Sequence, residues 1–146
     1  MMIQSYSQSL TILNEITKAK NILINVHRNP DLDSIGSATA LYQAINKMGK
    51  KVTLVCPHEI PENFKFLKGA NFVKTINFKD WADTGVRPYD LFIILDSGSY
   101  DVVTGDKEIK IPDVKKIIID HHRTNNWEDF KLLEIEASST SEVIYQ

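Results

Sequence analysis

Apolar residues in this chain fall into short unbroken runs, separated by stretches in which they recur every three or four positions. Ile22, Leu23, Ile24, Asn25 and Val26 read as a short buried strand, as do Lys51 to Val55, Leu91 to Leu95 and Ile117 to Ile119. Helical spacing appears twice with clarity. Leu10, Ile12, Leu13 and Ile16 give an amphipathic helix within Ser5 to Ala19. Ile35, Ala38, Leu41, Ile45 and Met48 give a second, with Gly49 where a C-terminal cap belongs and Asp33 or Ser34 placed to cap its start. Strand, helix and strand at this spacing predict a right-handed parallel unit. Beyond Pro57 and Pro61 the pattern loosens. Phe64 to Leu67 reads as a short helix, Asn71 to Ile76 as a third strand, and Phe78 to Pro88 as a polar connection carrying Trp81. Lys131 to Ile135 reads as an edge strand, and Ser138 to Gln146 as the opening of a helix capped by Ser138 or Ser139, with Glu142 completing a capping box from Ser139.

The fold class expected from this order is α/β, a three-layer sandwich around a mainly parallel sheet, with residues 1–146 as one domain. An apolar fraction of 42% and a charged fraction of 25% are ordinary for a globular domain, and no segment approaches the roughly 18 apolar residues of a membrane span. With no secretory signal legible at the N-terminus, a cytoplasmic location is expected by default, with no membrane partner. A formal net charge of -2 offers no global basic field for a long nucleic acid, so any such substrate should be short or locally gripped. Cys56 stands alone. It excludes an internal disulfide and reads as a small residue at a strand end.

Candidate chemistry collects where the strands end. The first strand runs into His27-Arg28-Asn29-Pro30-Asp31-Leu32-Asp33-Ser34, the next central one into Asp96-Ser97-Gly98, and Ile117 to Ile119 into Asp120-His121-His122. Three of the 4 histidines fall in these places, and the fourth, His58, reads as a loop residue. The C-terminal edge of a parallel sheet is where ligands bind, because side chains and helix N-termini converge there. Taken singly, each aspartate could be a helix cap or turn former. On one edge, imidazoles and hard carboxylate oxygens together suit a two-cation site. Adjacent side chains diverge, so one of His121 and His122 would serve a metal and the other the substrate or a proton. Walker, dinucleotide and serine-elbow patterns are missing, and Phe64, Phe66 and Phe72 read as packing residues.

These residues resemble the N-terminal domain of a DHH-family phosphoesterase. Val26 to Ser37 is similar to the family's first motif, Leu95-Asp96-Ser97-Gly98 to its second, and Asp120-His121-His122 to the third that names it. Glu136-Ala137-Ser138-Ser139-Thr140-Ser141-Glu142 is similar to the segment that follows in the subgroup of nanoRNases and pAp phosphatases. The resemblance implies hydrolysis of phosphodiester or phosphomonoester bonds in short oligonucleotides or nucleotides, with water activated by two Mn²⁺ ions for which Mg²⁺ or Co²⁺ could substitute. It also implies roles. His27 and Asp31 would hold one ion, Asp33 and His121 the other, and Asp96 would bridge them. His122 would contact the phosphate or assist the leaving group, and Asp120 would orient a ligand histidine. Asn29, Ser37 and Arg123 are candidate phosphate contacts.

The family places a fourth acidic ligand and a second, substrate-gripping domain after the third motif. Neither is found in these residues, so the sequence is expected to be a fragment lacking that C-terminal domain. A weakly held second metal and poor or absent turnover would follow, and the resemblance suggests homodimers. Other activities share this half: cyclic dinucleotide phosphodiesterase, single-strand exonuclease and pyrophosphatase. Two alternatives come from outside the family. A haloacid-dehalogenase-like phosphatase would use Asp31 as nucleophile, and a non-catalytic domain would bind a nucleotide or metal as a sensor.

Overall fold

Neighbouring residues of the first strand, β1 (Asn21–Asn25), point to opposite faces, and Ile22, Leu23, Ile24 and Asn25 are all buried. Such a strand must be covered on both sides, which explains its apolar run without alternation. The computed structural model describes residues 6–84, 89–111 and 113–146. Ser5, at the expected start of the first helix, and positions 85–88 of the expected Phe78 to Pro88 connection lie outside the described residues.

Among the described residues, β1 joins β2 (Lys51–Cys56), β3 (Val73–Thr75), β4 (Leu91–Leu95), β5 (Lys116–Asp120) and β6 (Lys131–Leu133) in one sheet of spatial order β3-β2-β1-β4-β5-β6. Every neighbouring pair is parallel. The chain leaves β1 toward β2 on one side, and β4 lies on the other side with β5 beyond it. The loops after β1 and β4 therefore diverge and open a crevice at the C-terminal edge. Asn25 spans that opening. Its carboxamide oxygen accepts the Leu95 N–H at 2.7 Å and its nitrogen donates to the Ser97 hydroxyl at 3.2 Å, replacing backbone pairing where β1 and β4 separate.

Helices α1 (Ser9–Lys18), α2 (Leu32–Lys47) and α5 (Thr140–Tyr145) cover one face, where Ile12, Ile16, Ile35, Ala38, Ile45 and Val143 join Ile22, Ile24, Leu54, Ile93 and Ile119 in one core. On the other face α3 (Phe78–Thr84) and α4 (Tyr100–Thr104) bring Phe78 and Val103, with Ile111 and Trp127, against Leu23, Val55, Phe92, Ile94 and Ile118. The result is the three-layer α/β architecture the strand runs required.

Several local expectations are corrected. The polar connection from Phe78 begins instead with a helix, because Phe78 and Trp81, one turn apart, both pack against Phe92 with ring centroids 6.4 and 5.7 Å away. Two anchors in seven residues leave too little periodicity to see in sequence. The third strand is shorter than Asn71 to Ile76, since Ala70–Phe72 forms a 3₁₀ turn before it. A further 3₁₀ turn, Glu62–Phe64, stands in place of the short helix at Phe64 to Leu67. The edge strand ends at Leu133 rather than Ile135. Cys56 closes β2 in the core, and burial pushes its thiol up to about 11, which keeps it protonated and inert. Among the described residues no helix is long and apolar enough to cross a membrane.

Candidate metal centre

The loop after β1 is shaped by its own backbone. The His27 N–H donates to the Ser34 hydroxyl at 3.0 Å, and Asp31, not Asp33 or Ser34, caps α2 by accepting the Ser34 N–H at 2.9 Å. The cap falls earlier than expected because the helix already begins at Leu32, which leaves Ser34 in the first turn facing back to His27. Neighbours fix the rest of the loop. The Arg28 N–H reaches the Val102 carbonyl at 2.9 Å, its guanidinium pairs with Asp101 at 3.0 Å, and the Asn29 N–H donates to His58 Nδ1 at 3.2 Å. Asn29 takes a left-handed conformation, φ +47°, which asparagine tolerates better than most residues.

Three imidazoles face the crevice with their tautomers set from behind. His27 Nδ1 lies 2.8 Å from the Arg28 carbonyl and His121 Nδ1 3.2 Å from the Ala137 carbonyl, so each donates there and leaves Nε2 bare. His122 Nδ1 donates instead to Asp120, at 2.7 Å. Asp120 is buried, and it also takes the His121 N–H at 2.8 Å and the Asn125 carboxamide at 2.8 Å. Asp120 thus orients the third motif from beneath, through His122.

Asp96 lies between the imidazoles. Only 3% exposed, it follows β4 in the left-handed region, φ +52°, which turns its carboxylate into the crevice. Its two oxygens face different partners. Oδ2 is 3.5 Å from His27 Nε2, which is itself 3.7 Å from Asp31 Oδ1; Oδ1 is 3.6 Å from His121 Nε2, which is 3.7 Å from Asp33 Oδ2. These separations are long for hydrogen bonds. They lie at or just beyond the spacing of donors around a shared cation, since bonds of about 2.1 Å at octahedral to tetrahedral angles place ligand atoms about 3.0–3.5 Å apart. Within this cluster His27, Asp31 and Asp96 form one mutually close donor set, and Asp96, His121 and His122 another. Hard oxygen and imidazole donors with no thiolate fit Mn²⁺, Mg²⁺ or Co²⁺.

The negative charge is felt by the histidines. For His27, burial opposes protonation, but the Asp96 carboxylate, the Arg28 carbonyl and Asp31 outweigh it and hold its pKa above the usual 6.5. His122 behaves alike: Asp120, then Asp96, overcome burial and the repulsion of His27 to raise it. A cluster that draws in protons is one that would draw in cations.

A family model described as the DHH family, N-terminal domain, matches residues 21–146. The chain belongs to the DHH family. Membership removes the haloacid-dehalogenase-like alternative, in which His27, His121 and His122 had no part. This DHH-family chain also shares its fold with a solved structure, an exopolyphosphatase-related protein from Bacteroides fragilis, with a TM-score of 0.85 and 24% sequence identity. The match covers 99% of this chain and 44% of that one, so the chain spans under half the length of that protein.

The DHH-family chain departs from expectation in its candidate phosphate contacts. Ser37 is fully buried and its hydroxyl donates to the Asp33 carbonyl at 2.8 Å, so it steadies the first turn of α2 and does not face the crevice. Arg123 is exposed at the rim, 3.6 Å from Glu136, and Asn29 has its side-chain oxygen 2.9 Å from His58. Other contributions were not anticipated. Gly98 passes so close to the third motif's loop that a Cβ there would lie 2.3 Å from the Thr124 carbonyl oxygen. Trp127 donates to the Ser97 carbonyl at 2.7 Å, and buried Thr140 donates to Asp96 at 2.9 Å. Spacing between motifs carries no signal for these contacts, because they join residues 26 to 44 positions apart in sequence.

Proposed function

We propose that this chain carries the cation-binding half of a phosphoesterase acting on phosphodiester or phosphomonoester bonds of short oligonucleotides or nucleotides, in the manner of the nanoRNase and pAp phosphatase subgroup. One observation carries the reading: the two oxygens of Asp96 divide the donors into a His27–Asp31 side and an Asp33–His121 side. Each side would hold one divalent cation, Mn²⁺ by first choice, with Asp96 common to both. Cations held there would make water acidic near neutral pH and offset the charge of phosphoryl oxygens.

The chain's own residues supply orientation and a proton. Nδ1 of His122 is committed to Asp120, so Nε2 of this exposed residue is the end that can give a proton to a leaving oxygen. Arg28 and Arg123, at the rim, are each paired with an acid, Asp101 and Glu136. With these two arginines already matched, they offer little unpaired charge to a long polyanion, which favours a short substrate. The exopolyphosphatase-related name of the structural relative makes inorganic polyphosphate the natural comparison.

The test is direct. Mn²⁺ titrated into the chain should bind, and with Mn²⁺ present a longer protein that joins this chain to the family's second, substrate-gripping domain should cleave a phosphodiester dinucleotide or a 3′-phosphorylated nucleotide in preference to polyphosphate. Mn²⁺ binding without hydrolysis of any of the three by that longer protein would favour a sensor domain. No divalent binding at all would remove the basis of the proposal.

A further inference from the structure

The first turn of α5 reaches into the candidate centre from outside the three motifs. Both oxygens of Asp33 accept backbone N–H groups from it, Oδ2 from Thr140 and Oδ1 from Ser141, each at 2.8 Å. The Thr140 hydroxyl donates to Asp96 Oδ1 at 2.9 Å, the shortest contact to that carboxylate, against 3.5–3.7 Å for the imidazoles. Thr140 is fully buried. One residue therefore touches both carboxylates that face His121, Asp33 through its backbone and the shared Asp96 through its side chain.

The turn that presents Thr140 is itself fixed. Ser139 caps α5 by accepting the Glu142 N–H at 3.0 Å, and the Glu142 carboxylate takes both the N–H and the hydroxyl of Ser138, at 2.8 and 2.7 Å. The expected capping box closes one residue early, on Ser138 rather than Ser139. Against α2 the fit is tight, since a Cβ on Gly36 would sit 3.2 Å from the Ser141 hydroxyl. A carboxylate oxygen that accepts one hydrogen bond keeps a second lone pair. Thr140 can thus set the rotation of Asp96 without using up its capacity as a ligand.

We propose that Thr140 is a positioning residue for the divalent-cation site, aiming Asp96 through its hydroxyl while its backbone N–H steadies Asp33. This rests on the cation-site reading above. Partners behind metal ligands typically govern affinity by about 10–100-fold. Thr140→Val removes the hydroxyl and keeps shape and backbone; Thr140→Ser restores the hydroxyl. In calorimetric Mn²⁺ titrations, with the Mn²⁺ electron paramagnetic resonance spectrum as a second readout, the Val variant should bind about 10-fold more weakly with an altered spectrum. The Ser variant should match the parent chain. Unfolding in EDTA reports stability separately. If the Val variant unfolds earlier in EDTA yet binds Mn²⁺ like the parent, Thr140 is only structural and the inference is overturned. Should the Val variant not fold, Thr140→Ala must show the same loss of affinity, and unchanged binding there overturns it equally. A parent chain that binds no Mn²⁺ would defeat the cation-site reading itself, whereas a parent that binds and a Val variant that binds equally would defeat only this inference.

Discussion

Asp96 combines a strained backbone with a buried charge, and the two can be separated by substitution. Asparagine tolerates φ near +52° as aspartate does, so Asp96→Asn should keep the fold and, without its charge, lose most divalent affinity. Asp96→Ala must adopt the same left-handed conformation with no polar side chain to favour it, which should cost about 1 kcal/mol more in stability. Unfolding in EDTA beside Mn²⁺ titration distinguishes the two, and an Asn variant that bound Mn²⁺ normally would remove Asp96 from the site. Two residues on, Gly98 is required for space and not for its φ. A Cβ 2.3 Å from the Thr124 carbonyl oxygen cannot be absorbed without moving the loop that carries His121 and His122. Gly98→Ala should therefore lower stability by about 1–3 kcal/mol, the usual cost of overpacking, and weaken Mn²⁺ binding with it. Loss of stability alone would show the loop to be freer than the contact suggests.

At the scale of elements, what could be read beforehand was what local pattern encodes. Four apolar runs gave β1, β2, β4 and β5, and the three motifs gave the residues that meet at their ends. Long-range exchange was hidden. Asp33 looked like a helix cap in sequence, and it is one, but it receives the N–H groups of α5, over 100 positions away, and not those of its own helix. Ser37, polar and next to the loop, was a candidate phosphate contact, whereas α2 turns it inward. A comparable long-range tie holds the opposite edge of the sheet. Asp90, before β4, accepts the N–H groups of Lys20 and Asn21 at 2.8 and 2.9 Å, fixing the start of β1 beside it. Burial works to raise its pKa, but these two bonds, its own backbone and the charge of Lys20 together hold it below 3.8. A depressed folded pKa adds stability above 3.8, and that stability is lost as pH falls through the lower folded value. Asp90→Ala should thus lower the melting temperature at pH 7, by the few degrees that about 1 kcal/mol implies, with the difference closing below pH 3.8. A difference unchanged at low pH would assign the effect to packing.

For the molecule as a whole, the sheet order concentrates negative charge at one edge. Asp31, Asp33 and Asp96 lie beside the imidazoles of the crevice with Asp120 buried beneath them, while Arg28 and Arg123 are paired with other acids. Mutual repulsion among these carboxylates is a cost the fold carries whenever no cation is held. Binding to the folded state alone should therefore stabilise the whole chain, by about 2.7 kcal/mol at a free concentration 100 times Kd. For a domain of 146 residues, roughly 3–5 °C per kcal/mol places the rise in melting temperature at about 8–14 °C. EDTA should reverse it fully. The rise should be largest for Mn²⁺, Co²⁺ and Mg²⁺ matched by occupancy and absent for K⁺ at equal ionic strength, which excludes simple screening. Lower pH should erode it, because His27 and His122 take up protons above 6.5 in the cation-free state and compete for the same charge. Asp96→Asn provides the control: with the oxygen pair that divides the two donor sets changed, the same concentration of Mn²⁺ should leave its melting temperature nearly where EDTA leaves it. A full shift in that variant would place the stabilising cation elsewhere on the surface.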